Sequence, residues 1–327
     1  MKKLVGIFAF LAVVYGVLLF ADEAAQSATN HFNLARRVGL YGIVSLGAGL
    51  LIITGGIDLS IGSVVCLSAT LLAMMLRGDP WPWPLSLVVP QMRFPPVVAI
   101  PFVMLLGAFI GWVNGILVTK IRVQAFVVTL CGLFVYRGAA RWLAKDTVKG
   151  LANDYERLKY YLYSNTDVFG LPMSFVIFLV LAGVATVFLH LSIYGRYYYA
   201  IGSNERAARY SGVATDRYKI SAYVLCSTLA AFYGILILMQ ENSSQPSTTG
   251  GFLELYAIAG AVLGGCSLRG GEGSIVGIIA GATILVLLPN LTNMWGIESA
   301  LEFTVIGGAL LLGAILDELL KRRGRAG

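Results

Sequence analysis

Thr54-Gly55-Gly56-Ile57-Asp58-Leu59-Ser60-Ile61-Gly62-Ser63 sets one carboxylate and a cluster of glycines and serines between two long apolar runs, about 37–56 and 59–76. Paired glycines reach backbone conformations closed to other residues, so Gly55-Gly56 is expected to stop the first run as a helix. Asp58 or Ser60 is then expected to cap the exposed N–H groups of the next helix and to favour the positive end of its dipole. Each flanking run is long enough to cross a hydrocarbon layer of about 30 Å. The composition agrees: 57% of the 327 residues are hydrophobic and 13% are charged, against roughly 25% charged in an average soluble domain. Lipid offers no partner to a free backbone N–H or C=O, so a spanning segment closes its hydrogen bonds internally as a helix or within a closed barrel. A barrel needs alternating strands of about ten residues, and these runs are continuous. The expected fold is an all-α polytopic membrane bundle.

About ten spans are expected, at 4–20, 37–56, 59–76, 96–118, 124–143, 171–193, 219–239, 252–265, 273–292 and 299–319, forming one transmembrane domain over 1–327 with short or Gly-broken helices. Lys and Arg lean modestly towards the connections that this count places in the cytoplasm, with both termini there and the stretches 77–95 and 144–170 outside. The net charge of +7 therefore reads as topology and implies no nucleic-acid partner. Met1–Phe20 begins like a signal peptide, but its apolar run exceeds the usual 7–15 residues, so an uncleaved first span is expected. Trp81, Trp83 and the tyrosines of 155–163 suit a headgroup-level aromatic belt or a contact outside the cell. Cysteines 66, 131, 226 and 266 lie in or beside apolar runs with no CxxC and no Cys/His cluster. They read as packing residues, with no metal and no cofactor implied.

The opening punctuation recurs as Gly264-Gly265-Cys266-Ser267-Leu268-Arg269-Gly270-Gly271-Glu272-Gly273-Ser274. Both copies read G-G-x-x-L and close on Gly-Ser. The apolar run before the second copy is too short to cross about 30 Å at 1.5 Å per residue, so it is half a span or strongly tucked. Broken segments in corresponding places of two halves point to a transport pathway, because irregular backbone at membrane depth is tolerated where it lines a cavity. Gly55, Gly56, Asp58, Ser60, Gly264, Gly265 and Ser267 are the candidate pathway and helix-break residues. Gly107, Gly111 and Gly115, like Gly273, Gly277 and Gly281, form smooth ridges for close helix packing.

Between the sixth and seventh spans, Ser203 as N-cap and Gly212 as stop bracket a short surface helix, too short to be stable alone. Its Glu205, Arg206 and Arg209 suit a polar contact with a partner. The chain has no G-x-x-x-x-G-K-[ST], so any ATP-driven motor is another polypeptide. An ion-driven secondary transporter would need intramembrane carboxylates or histidines; His190 lies at a span end and Glu302 alone stands out within an apolar run. A membrane enzyme is disfavoured because His31 and His190 are far apart and no paired catalytic carboxylates occur in one motif.

TGGIDLSIGS, AIGSNERAARYSGVATDRYKISAYVLCSTLAAFYGI and AIAGAVLGGCSLRGGEGSIVGIIAGA together resemble the permease subunits of ribose, xylose and galactose class ABC importers, over about residues 33–320. The resemblance implies a second permease chain, as homo- or heterodimer, cytoplasmic ATP-binding subunits, and a periplasmic sugar-binding protein, in the lipid of a bacterial inner membrane. It implies import of a monosaccharide or sugar-like solute with no catalytic residues on this chain. It also makes the 203–212 helix the coupling helix that seats in the ATPase, with Ser203, Asn204, Glu205, Arg206, Ala208, Arg209 and Gly212 at the contact.

Overall fold

The computed structural model describes residues 2–89, 91–151, 154–164, 170–298, 301, 303–308 and 311. Five helices make the first half: α1 (Lys2–Leu19), α2 (Ala28–Ile53), α3 (Ile61–Arg77), α4 (Pro96–Thr119) and α5 (Ala125–Ala144). A single turn, α6 (Glu156–Lys159), precedes α7 (Met173–Thr186), which continues through a π turn to Leu191. Then follow α8 (Ile193–Ser203), α9 (Glu205–Tyr210), α10 (Thr215–Glu241), α11 (Leu253–Leu263) and α12 (Ile275–Met294). Among the described residues, six helices are long and apolar enough to cross a membrane, namely α2, α4, α5, α7 with its extension, α10 and α12. Three shorter apolar helices, 4–19, α3 and α11, accompany them. The protein is thus an all-α, multi-pass membrane bundle. Most of the expected tenth span, with Glu302 and the basic residues Lys321, Arg322, Arg323 and Arg325, lies outside the described residues.

α10 is the axis, packed on α4, α3 and α2. The most apolar windows of α2, α10 and α12 are 83, 67 and 72% buried, against 28% in α4, α5 and α7, so the latter three form the rim. The glycine ridges find their partners. A Cβ at Gly111 would strike the Tyr223 carbonyl and one at Gly115 would approach Ile220 Cα at 2.9 Å, which lets α4 lie backbone to backbone on α10. Gly277 and Gly281 face Gly264 and Gly260 in the same manner, joining α12 to α11. Trp83, Tyr160 and Tyr161 are exposed, whereas Trp81 is buried in the core, so of the two tryptophans only Trp83 fits the expected belt.

Two stretches depart from helical spanning: the first runs inside the bundle, and the second lies along α3, buried on one side only. α2 meets α10 where Gly47 faces Cys226, and α3 meets it where Gly234 faces Val65 and Ser68. Eight residues of α10 separate these levels, about 12 Å at the helical rise. The 54–60 connection therefore climbs back into the bundle, and α3 begins at membrane depth. On the other flank of α3, Thr70 Oγ1 meets Ser244 Oγ at 2.9 Å, Cys66 Sγ donates to the Pro246 carbonyl at 3.3 Å, and the Gly62 backbone touches Gly250. The segment from Ser243 to Phe252 thus descends beside α3 by about 12 Å before α11 starts. This is why α11 needs only 11 residues: the half-span expected from the sequence is real, but its missing half precedes the helix and does not lie at Gly264-Gly265.

Candidate transport pathway and coupling region

Gly55 carries the left-handed turn that ends α2, with φ +80°, while Gly56 does not have a positive φ and is pressed against Leu51. The stop is therefore Gly55. Asp58 is 2% exposed, and its Oδ1 accepts from the Ser60 amide at 2.7 Å and the Ser60 hydroxyl at 2.6 Å. This closes a local turn and leaves the α3 start without a side-chain cap from Asp58 or Ser60, contrary to the expectation. The Glu254 carboxyl, brought in by α11, instead faces the Gly62 backbone in the first turn of α3, where the positive end of the helix dipole favours a carboxylate. From Asp58 a chain of polar groups crosses the bundle. Ser60 Oγ accepts from Asn114 Nδ2 at 3.3 Å, and Asn114 Oδ1 accepts from the Tyr136 hydroxyl at 2.8 Å. Such a network inside an apolar bundle holds only if its members satisfy one another.

Arg137 is the side chain the sequence reading passed over. It stands well inside α5, half-buried, and its Nη1 donates to the carbonyls of Thr249 at 2.5 Å and Pro246 at 3.4 Å. The guanidinium thus holds the descending segment by its backbone. Sequence inspection could have flagged Arg137 and Glu254, since ionisable residues within spans are costly and mark functional positions. Each is flanked by enough apolar residues to be read through.

At the α9 end, Gly265 has φ +87° and ends α11 as expected. Gly264 lies against Gly277, and Ser267 closes a turn by donating its N–H to the Glu272 carbonyl at 3.1 Å and receiving the Arg269 amide on its hydroxyl at 3.3 Å. This second break then touches the first. The Gly271 amide donates to the Ile53 carbonyl at 2.9 Å, and a Cβ at Gly270 would approach the Gly55 nitrogen at 2.9 Å. Gly202, at the end of α8, fits between them, because a Cβ there would collide with the Ile53 carbonyl and the Gly271 amide. Tyr199 adds a hydrogen bond to the Gly273 carbonyl at 2.7 Å. The two glycine breaks and the root of α9 are one contact.

The short helix itself is shorter than expected. Ser203 belongs to α8, the N-cap is Asn204, whose side chain accepts from the Ala207 amide at 3.0 Å, and the helix covers six residues before Gly212 turns the chain at φ +84°. Ala208 is buried against its own bundle, not presented outward. Glu205 is engaged by Arg209 at 3.3 Å and Lys219 at 3.0 Å, and Arg209 also reaches Thr215 and Asp216. These pairs fix α9 on the first two turns of α10. The outward face is Arg206 with Tyr210, which is 91% exposed.

A family described as branched-chain amino acid transport system / permease component matches residues 30–315. The chain belongs to this permease family. Among relatives, the ribose import permease protein of Bacillus subtilis is 33% identical over 97% of this chain and 93% of its own length. The autoinducer 2 import system permease protein of an Enterobacter species is 34% identical, covering 97% and 89%. The xylose transport system permease protein of Escherichia coli is 29% identical, covering 97% and 93%. No solved structure matches.

Proposed function

We propose that this permease is the membrane-spanning subunit of an ATP-driven, binding-protein-dependent importer of a monosaccharide or sugar-like solute in a bacterial inner membrane. The observation that carries the reading is the contact joining α9 to both helix breaks. A short, charged, surface helix has no means of acting on the membrane interior unless its root touches the elements that line it, and here Gly202 stands between Ile53 and Gly271. A cytoplasmic ATP-binding subunit seats on α9 through Arg206 and Tyr210, an exposed aromatic and an arginine being the residue types that anchor protein contacts. Rotation or tilt of α8 then shifts the ends of α2 and α11 together, and nucleotide state biases the outward- and inward-open arrangements by its differential contact with them. The rim helices α4, α5 and α7 leave broad apolar surface for lipid and for a second permease chain, identical or related. A periplasmic sugar-binding protein delivers solute at the end opposite α9. The names of the relatives favour a sugar over an amino acid.

The test is reconstitution of the chain with its ATP-binding and binding-protein partners in proteoliposomes, followed by uptake of radiolabelled D-ribose, D-xylose and D-glucose. ATP-dependent accumulation of at least one sugar is expected. Accumulation driven by an ion gradient without ATP would instead make the chain a secondary transporter. A Tyr210→Ala variant should lose most of the ATPase's affinity, and wild-type complex formation would remove α9 as the docking site.

A further inference from the structure

We infer that the descending segment 245–252 is the solute-contacting wall of the pathway, with Gln245, Ser247 and Thr248 as its hydrogen-bonding face, Phe252 as its apolar floor, and Arg137 as the residue that holds it in place; this rests on the transport reading above. The segment has two sides. Ser244, Pro246 and Thr249 are buried towards α3, whereas Gln245, Ser247, Thr248 and Phe252 are exposed. Polar side chains and open backbone at this depth cannot face hydrocarbon, which offers them no partner. They face water or protein. The segment is also ordered in advance: the Gln245 carbonyl accepts from Thr248 at 3.1 Å and Thr249 at 2.9 Å, and the Gln245 amide donates to Thr249 Oγ1 at 2.9 Å. Arg137 adds its grip on the Pro246 and Thr249 carbonyls from the α5 side.

The chemistry of the exposed face selects the ligand class. A primary amide and two hydroxyls both donate and accept, as the hydroxyls of a sugar require, and the Phe252 ring, which meets Phe303 edge to face at 5.7 Å between centroids and still stands 60% exposed, offers a surface for the C–H side of a sugar ring. The exposed face carries no charged side chain, so nothing on it favours a zwitterionic amino acid over a neutral polyol. The charge of Arg137 is committed to backbone carbonyls and sets position, not specificity.

The experiment uses the complete complex in proteoliposomes and measures sugar moved per ATP hydrolysed for D-ribose, D-xylose and D-glucose. Gln245→Ala and the double variant Ser247→Ala/Thr248→Ala should lower that ratio roughly tenfold for the best sugar, equivalent to about 1.4 kcal/mol, and change the ranking of the three. Arg137→Ala should lower it for all three alike, with ranking kept and partial rescue in Arg137→Lys. A Ser247→Cys variant, made in a Cys131→Ser background because Cys131 is exposed, should react with a charged maleimide in vesicles and be slowed by the transported sugar. Wild-type ratio and ranking in both alanine variants would overturn the inference while leaving the transport reading intact. So would loss of pairing between two permease chains, measured by cross-linking, since the face would then be a chain-to-chain contact. Failure of the wild-type complex to accumulate any sugar with ATP would sink the transport reading, and this inference with it.

Discussion

The two glycine-glycine stops read alike in sequence and behave differently in three dimensions. After Gly55 the chain climbs back into the bundle, buries Asp58 and Ser60, and begins α3 at membrane depth. After Gly265 it stays at the α9 end, makes a half-buried turn through Ser267, and enters α12 with Ser274 capping the helix on the Gly277 amide at 3.1 Å. The first stop leads into the bundle interior, and the second packs against the end of α2 through Gly270 and Gly271. What the second half lacks at Gly265 it supplies upstream, in the segment from Ser243 to Phe252. A repeated motif thus marks where helices end without specifying which way the chain leaves.

The sharpest way to break this picture is at the point where both stops meet. Gly202→Val drives a branched side chain into the Ile53 carbonyl and the Gly271 amide, and overpacking against backbone costs about 1–3 kcal/mol or more. Uptake should vanish and the Tm of the detergent-purified chain should drop; normal uptake would mean that the stops are not joined through α8. The next largest difference separates Asp58→Ala from Ser267→Ala. The former leaves the buried Ser60 amide and the proton of its hydroxyl without their acceptor, at about 1–3 kcal/mol for unmet buried groups, while the latter removes an ordinary turn bond of about 0.5–1.5 kcal/mol. Equal Tm losses would contradict the contrast between an interior and a peripheral break.

Gly55→Ala and Gly265→Ala should, by contrast, cost similar amounts, about 1–2 kcal/mol each for a side chain in the left-handed region, since φ is +80° and +87°. Gly56→Ala should be milder than Gly55→Ala, because Gly56 needs no positive φ and the added Cβ meets a side chain, Leu51, and no backbone within 3.0 Å. The reverse order would make Gly56 the true stop. The smallest effect belongs far from both breaks, where the Arg141 guanidinium holds the exposed Asp146 carboxyl below its ordinary range. A carboxylate so depressed adds stability above its unfolded value and loses it as pH falls through the folded one. Asp146→Asn should leave Tm at pH 7 nearly unchanged and should differ from wild type still less below about pH 4, near the usual carboxylate range. A large loss at pH 7 would give this surface pair a role in anchoring the connection after α5.

The sequence alone determined the membrane class, the all-α bundle, the places where helices stop and the short helix before Gly212, because each follows from a local cause: apolar length against bilayer thickness, glycine's reach into positive φ, and side-chain capping. It also carried the resemblance that the family match bears out over residues 30–315. Only the tertiary structure decided that Asp58 serves a turn and Glu254 the start of α3, that Asn204 caps α9 in place of Ser203, and that Ala208 is buried. It alone placed Gly202 between Ile53 and Gly271, and laid 243–252 beside α3 under the hand of Arg137. Those facts depend on which helix lies next to which, and residues far apart in the chain become neighbours only once α10 has gathered α2, α3 and α4 around it. Hydrophobic pattern sets how much of each helix is buried; it does not record what the buried face will touch.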